Sequence, residues 1–312
     1  MRKVFVPLLL VFAIVACTQK EGEVLELTSP FIGGSSGVEP AFQGLRKEVF
    51  DGGRDPFDVL VRLENKGESP VKKSDVRVRI TGINPAEFSK LEEQLVKNPD
   101  DDILESRIDS TGQVLLAPPS IVEFSGLNHF SPITGASANF PLRAEVCYTY
   151  TTKSVSKFCV RGNLLNPPEG GICVINEVKP VFNSGAPVHV ENVQESARAK
   201  DKIGISFEIK HVGTGQIYEK KSACDKTQRK NENRVYVVVD SKIQGLSCTG
   251  LASSGSRAEG FVTLFDGVKP ITCTQPITTK TDYEQAFSVE ATYDYDIFVQ
   301  TDITVKSSGE QN

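Results

Sequence analysis

Apolar and polar residues alternate with a period of two over much of this chain. Residues 56–67 read Pro-Phe-Asp-Val-Leu-Val-Arg-Leu-Glu-Asn-Lys-Gly. Val59, Val61 and Leu63 fall on one side of an extended chain, as in a strand with one buried face. Asn65-Lys66-Gly67 then supplies turn chemistry. In residues 203–213, Ile205, Phe207 and Ile209 alternate in the same way, and His211-Val212-Gly213 takes the turn. The pattern predicts strands at 43–50, 57–64, 75–83, 112–116, 120–125, 140–151 and 155–161. It predicts further strands at 173–181, 188–193, 203–211, 234–240, 259–265, 268–273, 285–295 and 297–305. Many short strands between turn signals predict an all-β chain built as β-sandwiches. One segment reads as helix. Asn84 can cap it, Pro85 suits its first position and Glu87 sits three residues after the cap. Phe88, Leu91 and Leu95 would share a face, so a helix is expected from about 85 to 97.

The two strand patterns lie 146 residues apart, and a second match is longer. Residues 148–160, from Tyr148 and Tyr150 through Cys159, align without a gap on residues 293–305, from Tyr293 and Tyr295 through Thr304. Phe124-Ser125-Gly126 also matches Phe265-Asp266-Gly267, and Pro132-Ile133-Thr134 matches Pro276-Ile277-Thr278. Matches in one order at nearly constant offset predict two homologous sandwich domains, 41–163 and 172–307. Residues 164–171, rich in Pro and Gly, read as the linker, and 308–312 as a tail. The strand ending in Asn-x-Gly resembles the Ig-like modules of prokaryotic surface proteins, including the CARDB type. That resemblance covers residues 56–67 and their counterparts, and His211 stands where the first half has Asn65.

Arg2 and Lys3 precede an apolar run, Val4 to Val15, interrupted by Pro7. The run is shorter than the roughly 20 residues that span a bilayer. With its charged start it reads as a signal peptide over 1–16. Ile14-Val15-Ala16-Cys17 resembles the lipobox of prokaryotic lipoproteins. The resemblance implies cleavage before Cys17 and a diacylglyceryl group on its thiol. The protein would then be exported and anchored to a membrane through that lipid. It would sit on the outer face of the cytoplasmic membrane or elsewhere in the prokaryotic envelope. Residues 17–40, with Gly33-Gly34-Ser35-Ser36-Gly37, read as a flexible tether. From the residues alone, an ordinary secretory signal or a short uncleaved anchor competes with this reading.

Losing residues 1–16 takes the formal net charge from −5 to −7, because Arg2 and Lys3 leave with them. An acidic chain without a basic stripe argues against nucleic-acid binding. Tryptophan is absent, so a sugar platform would have to use Tyr or Phe. Six cysteines follow Cys17, an even number that favours three disulfides in an exported chain. Cys147 and Cys159 would bridge a hairpin centred near Lys153, since their counterparts Thr292 and Thr304 suit a cross-strand pair. Cys248–Cys273 and Cys173–Cys224 complete the expected set. No Cys-x-x-Cys pair supports a zinc site instead.

Catalytic signals are weak. His129, His189 and His211 lie in no ligand or nucleophile motif, and no phosphate loop or nucleophile elbow occurs. Asp51, Asp55 and Asp58 form a Gly-rich acidic turn that could hold a structural calcium ion, as could Asp100, Asp101 and Asp102. Neither run has EF-hand spacing, and Asp is common in solvated turns. Tyr148, Tyr150, Tyr293 and Tyr295 alternate along strands and read as packing positions rather than a binding stripe. The expectation is a non-catalytic, lipid-anchored envelope protein acting in display, adhesion or assembly through contacts with other surface proteins. The alternatives are a solute- or glycan-binding protein or enzyme with a site between the domains, and an accessory subunit of a pilus or secretion machine.

Overall fold

The computed structural model describes residues 29–165, 171–279 and 281–309. The signal segment 1–16, Cys17 and residues 18–28 of the expected tether lie outside the described residues, as do 166–170 of the expected linker. The described chain is all-β and holds no helix of seven or more residues.

Two 24-residue strands form its axis, Ser137–Val160 and Tyr283–Lys306. They pair antiparallel along their whole length, with Ser137 opposite Lys306 and Val160 opposite Tyr283. At about 3.4 Å per residue the ladder is roughly 80 Å long. Even-numbered residues of the first strand face inward, from Leu142 through Tyr148 and Tyr150 to Phe158. Odd-numbered residues of the second do so, including Phe287, Tyr293, Tyr295 and Ile303. The expected turns near Lys153 and between residues 295 and 297 are absent. Residues 142–161 contain no Gly, Pro, Asn or Asp to make one. Thr152, Ser154 and Ser156 continue the buried face, and their hydroxyls donate to Val188 O, Asn183 Oδ1 and Pro180 O. Hydrogen bonds replace apolar side chains there, so the hydropathy pattern breaks while the strand does not.

The long pair sits at the centre of a ten-stranded sheet. Arg234–Asp240 flanks the second long strand and Val76–Thr81 flanks the first. One smaller sheet joins Val38–Gln43, Phe57–Asn65 and Ser120–Leu127. Another joins Val188–Ala199, Lys202–His211, Val268–Pro276 and Ser247–Cys248. A single apolar cluster runs through all three sheets. It takes Val59, Val61, Leu63 and Phe124 from one small sheet and Ile205, Phe207, Ile209 and Ile271 from the other. Residues 41–163 and 172–307 thus share one continuous sheet. The C-terminal strand also reaches back to the first segment, where Glu48–Phe50 pairs in parallel with Thr304–Lys306.

Several local expectations change. The helix over 85–97 is two short 3-10 turns, Pro85–Phe88 and Glu92–Leu95. Asn84 does cap the first, its Oδ1 accepting from Ala86 N. Ser89 then adopts φ 57° and ends it, so Phe88 and Leu95 are buried while Leu91 is exposed. Phe265-Asp266-Gly267 is the tight turn before Val268, whereas Phe124-Ser125-Gly126 lies inside a strand. Phe124 faces Val59 and Cys273 faces Ile205, so the Phe124–Phe265 match does not survive the register.

The tether ends earlier than residue 40. The Glu68 carboxylate accepts from Ile32 N, Gly33 N and Gly185 N, and Val38 starts a strand. Three chain segments meet here, and glycines let them. A Cβ on Gly67 would collide with Gly185 O and Tyr150 Oη.

Candidate functional site

The loop after Gln216–Tyr218 crosses the outward face of the large sheet, over the middle of the long ladder. Asp294 faces Thr149 in the register and is buried. Its carboxylate accepts from Thr149 Oγ1 at 2.7 Å, Lys221 N at 3.0 Å and Ala223 N at 2.8 Å. Lys221, Ala223 and Cys224 have φ of 66°, 52° and 52°, a region that non-glycine residues seldom enter. The loop is held there by the carboxylate, by the Cys147–Cys224 disulfide and by Arg77, whose Nη2 donates to Ala223 O at 2.8 Å.

Beside this disulfide opens a cleft of about 470 Å³, with Arg77, Arg79, Glu145, Lys226, Thr227 and Asp296 on its walls. Lys226 Nζ lies 2.9 Å from Asp296 Oδ2 and 3.2 Å from Glu145 Oε2. Burial raises the pKa of Asp296, with Lys226 opposing the rise. Burial alone would lower the Lys226 ammonium, but Asp296 and Glu145 outweigh it and its pKa ends above the ordinary value. The cleft therefore presents charges of both signs, already paired in part. Two hydroxyls on its walls meet carboxylates: Ser222 Oγ donates to Asp294 Oδ2 at 3.5 Å and Thr227 Oγ1 to Asp225 Oδ1 at 2.7 Å.

The disulfides differ from the expected set. Cys147 pairs with Cys224 and Cys159 with Cys173. Cys147 and Cys159 stand on one straight strand, 12 residues or roughly 40 Å apart, far beyond the ~7 Å limit for bridged Cα atoms. The proposed Cys173–Cys224 bond fails for the same reason, since each sits beside a different one of those two positions. Cys248 and Cys273, expected to pair, face each other in the register and are joined. Next to Cys159, buried Glu195 accepts from Cys159 N at 2.9 Å and lies 3.0 Å from Lys179 Nζ. Burial raises its pKa.

The acidic candidates do not converge. Asp51 accepts from Ile133 N and Ser308 N, Asp55 binds Arg46, and Asp58 accepts from Gly126 N. Those backbone bonds hold the Asp51 carboxyl below its ordinary range. Asp102 accepts from Lys73 N, while Asp100 contributes only its carbonyl, to Lys73 Nζ. Among the described residues no three His, Cys, Asp or Glu side chains group as metal ligands. His129 packs edge-on against Phe88, and His189 Nε2 contacts Gly34 O.

The four tyrosines are core. Tyr150 Oη bonds Asn65 Oδ1 and accepts from Ser69 N, tying the strand to the turn after Asn65. Tyr295 Oη makes the corresponding contacts with His211 Nε2 and Gly215 N. His211 thus takes the place that Asn65 holds in the first half. Burial lifts the Tyr295 phenol to about 12 and drives Tyr148 and Tyr293 up as well.

Asp294, Asp296 and Lys226 were not singled out by the sequence pattern. A signal existed: Asp is disfavoured inside strands, and Tyr293-Asp294-Tyr295-Asp296 places two there, where the aligned residues 148–151 read Tyr-Thr-Tyr-Thr. The architecture and its three disulfides define an all-β, disulfide-stapled protein of an oxidising, extracytoplasmic setting. A scan of protein-family models finds none that matches this chain, and a search of curated proteins finds no match.

Proposed function

We propose that this chain is a non-catalytic, lipid-anchored protein of a prokaryotic envelope, acting in display, adhesion or assembly through protein–protein contacts. One observation carries the reading. The chain has seven cysteines, and three disulfides use all of them except Cys17. The seventh cysteine is the one that follows the signal-like segment, where the lipobox resemblance requires a free thiol.

We further propose that the two halves are a duplicated Ig-like unit fused through the long ladder. Each half opens its small sheet with a matching pair, Val38 opposite Asn65 and Val188 opposite His211. Each presents three inward valines or isoleucines beside a long strand, Val76, Val78 and Ile80 in one and Val235, Val237 and Val239 in the other.

Labelling cells with radioactive palmitate tests the anchor. The wild-type chain should take up label and fractionate with membranes, and Cys17→Ala should lose both. A wild-type chain without label would overturn the reading. Solute binding stands as a second reading, on the charged cleft beside Cys147–Cys224. Purification with a bound small molecule would favour it, whereas stable co-purification with envelope proteins favours assembly.

A further inference from the structure

Residues 104–116 leave the first half as a projecting two-stranded hairpin, Arg107–Ile108 paired with Val114–Leu115. Five aliphatic residues on it face solvent: Leu104 is 51% exposed, Ile108 37%, Val114 48%, Leu115 43% and Leu116 69%. Ile108 stands opposite Val114, and Leu104 and Leu116 are exposed at the two feet of the hairpin. Leu115 shares the other face with Arg107.

This exposure does not come from a loose loop. Both feet are tied to the sandwich. Asn65 Nδ2 donates to Leu104 O, Ser106 N to Gly67 O, Ser106 Oγ to Asn65 O and Ala117 N to Ser106 Oγ. The turn is closed by Asp109, whose Oδ1 accepts from Thr111 N and Gln113 N. A lone two-stranded hairpin is marginal in water, and this one holds an apolar face away from the core. Such a face marks a contact surface.

The route of the chain indicates what covers it. Ile32 N and Gly33 N donate to Glu68, the residue next to the Gly67 carbonyl that anchors the hairpin. Cys17 precedes Ile32 by 15 residues, a contour of at most about 50 Å. The lipidated end is therefore tethered to the corner from which the hairpin projects. We propose that the exposed Ile108–Val114 pair, with Leu104 and Leu116 at the feet of the hairpin, lies against the lipid bilayer as a second contact beside the acyl chains on Cys17. This rests on the lipid-anchor reading above. The polar turn Asp109–Gln113 sets the geometry: the hairpin lies side-on in the interface, with its tip among headgroups. Arg107, on the opposite face, can extend to the headgroups over its aliphatic stem.

The absence of tryptophan makes the test direct. Leu116→Trp and, separately, Val114→Trp each place one indole on the hairpin of the full, acylated protein. Phe130→Trp serves as the reference. Phe130 is 67% exposed and sits by Gly53, at the other end of strand Phe57–Asn65. Each protein is reconstituted on phosphatidylcholine–phosphatidylglycerol vesicles with and without brominated acyl chains. The indoles at 114 and 116 should show blue-shifted emission and lose intensity to bromine, while that at 130 does neither. Water-like, unquenched emission at both hairpin positions in a palmitate-labelled protein would overturn the proposal and leave the anchor standing. A concentration-dependent blue shift without bromine quenching would overturn it in favour of a second copy of the chain. Missing palmitate label would instead sink the anchor reading, and the hairpin contact with it.

Discussion

Removing the Cys147–Cys224 disulfide should destabilise the protein more than removing either of the others. The bond closes 77 residues, against 14 for Cys159–Cys173 and 25 for Cys248–Cys273. Loop-closure entropy then assigns about 4.5, 3.0 and 3.5 kcal/mol respectively, as upper figures. The difference between the longest and shortest, about 1.5 kcal/mol, is the sturdier quantity, because effects common to all disulfides cancel in it. Local burial does not reverse the order, since the cysteines of all three pairs are similarly buried. The long bond also pins the loop whose Lys221, Ala223 and Cys224 hold left-handed backbone, so its loss releases that segment too. The assay is urea unfolding of three oxidised double Cys→Ala variants, with wild-type slope m checked in each so that midpoints compare stability. Non-reducing peptide mapping of the wild type should join Cys147 to Cys224. A peptide joining Cys147 to Cys159, or a larger cost for the 14-residue loop than for the 77-residue one, would refute the reasoning.

Two further changes probe the tyrosine turns. Tyr150→Phe removes the hydroxyl that serves Asn65 and Ser69; Asn65 Oδ1 keeps Gly67 N, but buried Ser69 N loses its partner, and the change should cost about 1–3 kcal/mol by thermal or urea unfolding. Burial lowers the pKa of His211, so the unfolded chain binds its proton more readily than the native one. Stability should be full above the unfolded value of about 6.5 and fall as pH drops through it towards the folded value. His211→Asn, which borrows the residue of the first half, should flatten that part of a Tm–pH profile; an unchanged profile would exclude His211 as its source.

The pattern of alternation carried the fold class, because both small sheets follow it closely, as in Val59-Val61-Leu63 and Ile205-Phe207-Ile209. It failed where burial is polar. Thr152, Ser154 and Ser156 look like a turn in a hydropathy reading, yet their hydroxyls are bonded and the strand continues. That one misreading displaced two disulfides, since a hairpin at Lys153 was the only thing that brought Cys147 near Cys159. The cleft was illegible for a different reason. Lys226 reaches Glu145 and Asp296 from 81 and 70 residues away in sequence, and no local pattern encodes such a meeting.

Under the proposed duplication, the centre of the ladder is where the two halves differ most directly. Pairing matches each residue of one long strand with the other so that Tyr150 meets Tyr293 and Tyr148 meets Tyr295. The 145-residue offset meanwhile makes Thr149 the counterpart of Asp294, and these two face each other. The axis relating the strands passes between them. A symmetric pair there would be two threonines, or two carboxylates in contact. Thr149 with Asp294 avoids the repulsion, gives a 2.7 Å hydrogen bond and leaves oxygens to bind Lys221 N and Ala223 N. The loop that uses them has room because 22 residues separate His211 from Arg234, while ten separate Asn65 from Val76. Thr149→Asp should therefore be costly at neutral pH, by about 1–3 kcal/mol for a like-charge pair replacing a hydrogen bond to a charged group. One of the two carboxyls would titrate high, as carboxylates sharing a site do, so the cost should shrink as pH falls towards the carboxyl range. Tm measured against pH for this variant and for Thr149→Asn separates charge from shape. Equal losses in both, independent of pH, would show that the pairing at the axis is steric and that the carboxylate there is incidental.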